Sequence, residues 1–239
     1  MKTSSILIIC LISCFVNASE DVKSKTASAI NYNNGTGGIY FESQDEGIKV
    51  DDSRIKFYLN EASTKINNGY RSEVAIFDRF ELGSKVKYIF TLTVNKISQK
   101  TITQDNSWFI VAQWHDQPNK ELGETWSSFP KRPPPLSFGI DYKKGYKLYF
   151  KSEKNYIDMD IRLGSTIFCA VEIEWIFSKD GAISGKCRTG IDNMKFSFKD
   201  RTMHNRYYHY FKFGIYNGPT VKGKNEVTFK NLNINPIEV

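Results

Sequence analysis

The sequence lacks a sustained helical period: nowhere in its 239 residues do apolar positions recur every three or four residues for long enough to build a substantial helix. Internal repeats are missing too, as is any linker long enough to divide the chain. Nothing in the sequence has zinc-ligand spacing, and neither a basic recognition helix nor a ribonucleoprotein-type aromatic motif is present. Those absences count against nucleic acid as a partner, although the formal net charge of +7 attracts anions of some kind. Anionic lipid and acidic polysaccharide are equally compatible with it. Cysteine is scarce, with four in all, and two of them fall in the N-terminal apolar run.

That run, Ile6 to Val16, follows Lys2 and ends in Val16-Asn17-Ala18, with small residues where a signal peptidase reads. It is too short to span a bilayer. Residues 1–18 therefore read as a signal peptide cleaved after Ala18, giving a secreted or periplasmic protein. Leu11-Ile12-Ser13-Cys14 also resembles a bacterial lipoprotein box, and anchoring at Cys14 is the alternative. Export leaves Cys169 and Cys187, a pair that invites a disulfide. Pairing Ser178 with Ala182 around Lys179-Asp180-Gly181, however, sets Cys187 opposite Ile173. Cys169 then lies four residues away, roughly 13 Å at strand rise, so separately buried thiols are expected.

What is present is alternation. The 17 Phe and 13 Tyr favour strands, and short two-faced segments recur between turn signals. Residues 19–38 read as a flexible lead-in. From residue 39 to 239 a single all-β domain is expected, with about a dozen strands beginning at Ile39-Tyr40-Phe41 and ending near Asn233; the pattern is that of a β-sandwich. Lys96 marks a break in alternation. The irregular stretch His115 to Pro135, Pro-rich with Trp126 and Phe129 embedded, reads either as a surface loop packed by its own aromatics or as a lid.

Three segments stand out for having one apolar and one polar face. In Tyr210-Phe211-Lys212-Phe213-Gly214-Ile215-Tyr216, the residues Tyr210, Lys212, Gly214 and Tyr216 oppose Phe211, Phe213 and Ile215. The gap at Gly214 suggests a close approach to the backbone. Arg71, Glu73 and Ala75 oppose Val74 and Ile76, and Gln113 and His115 oppose Ala112 and Trp114. If the three strands adjoin, their polar faces form one trench. His204 and His209 stand outside this pattern and read as structural.

Arg71-Ser72-Glu73-Val74, Gln113-Trp114-His115 and Tyr210-Phe211-Lys212-Phe213-Gly214-Ile215-Tyr216-Asn217 resemble, in order, the three signature segments of the alginate lyase family 7 polysaccharide lyases. Those read Arg-x-Glu-Leu-Arg, Gln-Ile/Val-His and Tyr-Phe-Lys-Ala-Gly-x-Tyr-Asn-Gln. The glucuronan lyases and heparin lyase I-like proteins share the architecture, and Gln-Trp-His followed by a Pro-rich loop is closer to theirs. Ala75 in place of the second arginine, Phe213 in place of alanine and Gly218 in place of glutamine depart from the alginate pattern. The resemblance implies a β-jelly-roll of two curved antiparallel sheets with a concave, concanavalin-like groove. It also implies a lyase acting by β-elimination, as a monomer, on an acidic, uronate-containing polysaccharide such as alginate, glucuronan or a glycosaminoglycan, with no cofactor or metal.

The chemistry assigns parts. Arg71 and Gln113 would neutralise the uronate carboxylate, His115 would take the C5 proton, and Tyr216 would protonate the leaving oxygen. Glu73 would orient Arg71, and Lys212 would lower the pKa of Tyr216 or hold the next carboxylate. Tyr210 and Asn217 complete the third segment as substrate contacts, while Tyr149, Lys147 and Trp126 would line subsites. A carbohydrate-binding module and a glycoside hydrolase on the same sandwich are the alternatives. The hydrolase needs two carboxylates flanking the scissile bond.

Overall fold

The computed structural model describes residues 20–32, 38–44, 46–66, 69–77, 82–98, 108–130, 132–143, 145–218 and 223–237. The leader, its cleavage site and Cys14 lie outside the described residues. No described helix is long and apolar enough to cross a membrane.

Alternating sequence folds as expected into two packed sheets. The first runs β14 (Asn193–Asp200), β13 (Gly181–Arg188), β12 (Thr166–Glu174), β7 (Lys85–Lys96), β16 (Asn225–Ile237), β4 (Arg54–Leu59) and β3 (Ile48–Asp51). The second runs β11 (Tyr156–Asp160), β10 (Lys147–Lys151), β9 (Leu136–Asp141), β8 (Phe109–Asp116), β15 (His209–Asn217), β6 (Gly69–Ile76) and β2 (Ile39–Ser43), with the short β5 (Lys65–Ile66) also on β6. Between the sheets, the apolar member of each alternation is buried: Val86, Tyr88, Phe90 and Leu92 from β7 face Trp114, Phe138, Phe211 and Phe213. Aromatic edges meet ring faces across the layer, with Phe57 and Phe213 at 5.4 Å and Tyr88 and Trp114 at 5.2 Å. The break in alternation at Lys96 is a register shift, since Glu226 pairs with Lys96 but Val227 with Val94.

Within the stretch read as a flexible lead-in, residues 20–32 take regular structure. Glu20–Ala29 forms a helix, α1, and Ile30–Tyr32 forms β1, which adds parallel to β16. Acidic Glu20 and Asp21 suit the helix N-terminus, and Lys23 and Lys25 pair with them at 3.0 and 2.9 Å. Only Val22, Thr26 and Ala29, one sparse stripe at helical spacing, touch the core. That stripe holds a single strongly apolar residue, too little for a periodic signal.

The cysteines also correct the expectation: Cys169 and Cys187 are directly paired across β12 and β13 and joined by a disulfide. Ile173 pairs with Ile183, so the connection is a loop over residues 175–180 instead of a tight turn at Lys179-Asp180-Gly181. Trp175 leaves the ladder, its N–H donating to the Ser84 carbonyl at 2.9 Å and its carbonyl accepting from Gly83 at 2.6 Å. The bond closes a loop across a separation of 18 residues. Replacing both cysteines by serine is expected to cost ~3 kcal/mol of stability, a fall of roughly 6 to 12 °C in the melting temperature. An unchanged calorimetric transition would show that the register is held without the bond.

Candidate active site

The second sheet carries the expected polar faces on adjacent strands. β15 lies between β6 and β8, pairing Tyr216 with Arg71, Gly214 with Glu73, Lys212 with both Ala75 and Gln113, and Tyr210 with His115. Arg71, Gln113, His115 and Tyr216 therefore share the face away from the core. The pairing of β15 with β6 has no shift between Phe211 and Asn217, which keeps Tyr216 and Lys212 on one side.

Arg71 is the hub. Its guanidinium lies 3.7 Å from the centroid of the Tyr216 ring, and its Nη1 donates to Glu73 Oε2 at 2.9 Å and to Glu42 Oε2 at 3.1 Å. Arg71 Nε is buried without a hydrogen-bond partner among the described residues. Gln113 Nε2 donates to Glu73 Oε1 at 2.7 Å, so one buried carboxylate orients both the arginine and the amide. Lys212 Nζ lies 2.6 Å from Glu42 Oε1. Two cations and two carboxylates thus neutralise each other in the floor of the groove. Burial opposes the charge on Glu42, but Lys212 and Arg71 outweigh it and lower its pKa.

His115 is fixed by the residue after it. Its Nδ1 donates to the Asp116 carbonyl at 3.0 Å, with Asp116 Oδ1 at 2.9 Å, and this tautomer leaves the Nε2 lone pair for the groove. Asp116 is fully buried and also accepts from Arg132 Nε at 2.8 Å. Burial works against its ionised form, yet His115 and Arg132 hold it well below the usual carboxylate range. Burial raises the Tyr216 pKa, with Arg71 pulling the other way, so the phenol keeps its proton at neutral pH.

Glu42 and Asp116 carry much of this arrangement and were not singled out in the sequence. Glu42 alternates with Phe41 on β2, and that parity is its only local signal; Asp116 has none beyond its position next to His115.

Several expected contacts are placed otherwise. Asn217 falls on the side of Ile215 and Phe213 and is fully buried, so it cannot meet a ligand on the face of Tyr216. Lys212 is only 4% exposed and held by Glu42, and Arg71 is the cation against Tyr216, so neither role expected of the lysine fits. Tyr210 is 5% exposed, stacked under Phe77 at 4.6 Å with Trp126 edge-on at 6.1 Å, which takes it out of direct substrate contact. Gly214 has φ 134, and a Cβ there would collide with the Ser72 carbonyl and the Phe57 ring. The glycine serves the irregular pairing of β15 with β8 and opens no space in the groove.

Tyr149 and Lys147 lie on the same face but on β10, two strands from β8. Tyr149 stacks on Tyr156 at 5.3 Å, and Lys147 pairs with Asp158 at 2.9 Å. The stretch after His115 turns back over the groove: Lys120–Leu122 forms a 3-10 turn, Arg132 returns to Asp116, and Trp126 packs against Phe77 and Tyr210. His204 sits in a loop with Nε2 3.2 Å from the Pro133 carbonyl, and His209 is buried against Trp175 at 5.5 Å; both are structural.

A family model described as polysaccharide lyase matches residues 40–233. Solved structures with the same fold include the alginate lyase of Corynebacterium sp., at 12% identity, TM-score 0.51, covering 82% of this chain and 83% of that one. The PL-14 alginate lyase of Aplysia kurodai is similar at 10% identity, TM-score 0.55, covering 83% and 90%. The family 7 alginate lyase A1-II′, solved as a variant in complex with substrate (GGMG), is similar at 14% identity, TM-score 0.54, covering 82% and 84%. No curated protein sequence matches.

Proposed function

Since this chain belongs to the polysaccharide lyases, we propose that it is an exported enzyme whose substrate is a uronate-containing chain, cut by β-elimination in the groove of the second sheet. The observation that carries this reading is the convergence of Arg71, His115 and Tyr216 from three adjacent strands onto one face, with Gln113, only 2% exposed, bonded to Glu73 beside them. A uronate carboxylate placed over the exposed part of the Arg71 guanidinium would gain the stabilisation that its enolate needs as the C5 proton leaves. His115 Nε2 takes that proton, the C5 electron pair forms the C4=C5 double bond, and the C4–O bond breaks with its electrons on the leaving oxygen. Tyr216 O–H supplies the proton that the oxygen then needs. Glu73 holds Arg71 and Gln113 in place and Asp116 holds His115, so the groups are oriented before substrate arrives.

Hydrolysis is disfavoured because Glu42 and Glu73 both contact Arg71, sitting side by side on paired strands instead of flanking a bond. Alginate lyases as structural neighbours make alginate one candidate, and Ala75 in place of a second arginine keeps glucuronan and glycosaminoglycans in the panel. The Cys169–Cys187 bond supports export, since a structural disulfide forms and persists in an oxidising compartment.

The test is incubation with alginate, glucuronan and heparin while following ultraviolet absorbance of the unsaturated uronate. The expected result is rising absorbance with at least one of them. New reducing ends without absorbance would replace elimination by hydrolysis.

A further inference from the structure

Away from the groove, an open hollow of about 590 Å³ lies at the corner of the other sheet, lined by Lys186, Arg188, Lys195 and the turn that joins β13 to β14. On both strands the inward positions are apolar, Ile183, Cys187, Met194 and Phe196, so the alternate positions face solvent. Four of those positions are basic. Lys186 stands directly opposite Lys195, Arg188 follows two residues along β13, and Lys199 lies further along β14, all exposed. Like charges facing each other across a strand pair destabilise it. None of the four has an ion pair with a carboxylate among the described residues, whereas elsewhere on this sheet Lys87 pairs with Glu172 at 2.9 Å. Asp192, which also lines the hollow, is engaged by the N–H groups of Asp160 and Asn193 at 2.9 and 2.8 Å.

We propose that this corner is a second binding site for an acidic polysaccharide, on the sheet opposite the groove. A polyanion lying along the strands would relieve the Lys186–Lys195 repulsion and meet Lys186 and Arg188 roughly 6.8 Å apart, twice the strand rise. Arg188 lies over the half-buried Phe168 ring at 5.5 Å, which orders its guanidinium. Cys187 stands between Lys186 and Arg188 and is bonded to Cys169, so the display is held at a fixed register before any ligand arrives. Choosing a polysaccharide over another polyanion rests on the acidic substrate proposed for the groove: one long chain would then be held at two places, raising its effective concentration at the active site.

The test is electrophoresis of the whole protein through gels containing alginate, polygalacturonate or neutral dextran, comparing wild type with a K186S/R188S/K195S variant. The acidic polymers should retard the wild type and dextran should not, with apparent affinity roughly tenfold weaker in the variant and falling with added salt. For a polymer that the wild type cleaves, KM should rise several-fold in the variant, with kcat unchanged, while an unsaturated tetrasaccharide is cleaved equally by both. Equal retardation of variant and wild type by the acidic polymers would overturn the proposal. So would variant-sensitive binding to anionic lipid vesicles with no retardation by polysaccharide. The His115→Ala protein should be retarded like wild type, so loss of the elimination chemistry and loss of this site give separate results.

Discussion

Replacing His115 by alanine is expected to lower kcat by roughly 10²- to 10⁴-fold on the polymer that the wild type cleaves best, the usual range for losing a positioned general base. The fold should survive, because the side chain is 20% exposed at the groove and Asp116 keeps its contact with Arg132. Tyr216→Phe should fall by a similar factor, since phenylalanine retains the ring under Arg71 but cannot protonate the leaving oxygen. The two variants should separate on substrates that differ at C5. Inverting C5 turns the proton away from His115 and toward the side of the phenol, so Tyr216 can serve as both base and acid there. His115→Ala should then lose less on one epimer, while Tyr216→Phe loses on both. Added imidazole should partly rescue His115→Ala. Wild-type turnover by both variants on every cleaved polymer would remove these two residues from the chemistry.

Much of this site was legible because strand alternation is a local property. Arg71 and Glu73, Gln113 and His115, and Tyr210 and Tyr216 each sit an even number of residues apart beside apolar neighbours, so their faces follow from parity alone. Which strands adjoin does not follow from parity, and there the resemblance to known lyase segments supplied the order. Misreadings arose where a non-local partner decided the outcome. The register of Cys187 depends on Trp175 leaving the ladder to bond Ser84, a contact 91 positions back in the chain. Gly214 looked like a gap in the groove because regular strand geometry was assumed, whereas its positive φ turns that position toward Phe57. Lys212 looked available to a ligand until β2 brought in Glu42, 170 residues away in sequence.

The start of β15 sets a limit on the pH range over which the groove stays assembled. His209 is buried, its Nδ1 donating to the Tyr207 carbonyl at 3.3 Å while Nε2 accepts from the His204 N–H at 3.2 Å. Protonation would put a second N–H against the N–H of His204, inside a site that already disfavours charge. Burial therefore drives the His209 pKa down to about 3, with Asp116 opposing and His115 and His204 adding to the fall. In the unfolded chain the same ring titrates near its ordinary value of about 6.5. Between those values the unfolded state binds a proton that the folded state refuses, so stability is complete above the upper value and declines as pH falls toward the lower one. The limiting slope is ~1.4 kcal/mol per pH unit. Asp116, with its depressed pKa, loses its own contribution only at pH values below about 4. Urea unfolding at pH 7, 6, 5 and 4.5 should therefore show stability declining with acid. A His209→Gln variant, weaker at pH 7, should lose most of that slope. Parallel wild-type and variant lines across this window would mean that His209 carries its proton in the folded protein. Because His209 begins the strand that carries Lys212 and Tyr216, acid pH should dismantle the groove together with the fold, and activity below pH 5 should decline in step with the folded fraction.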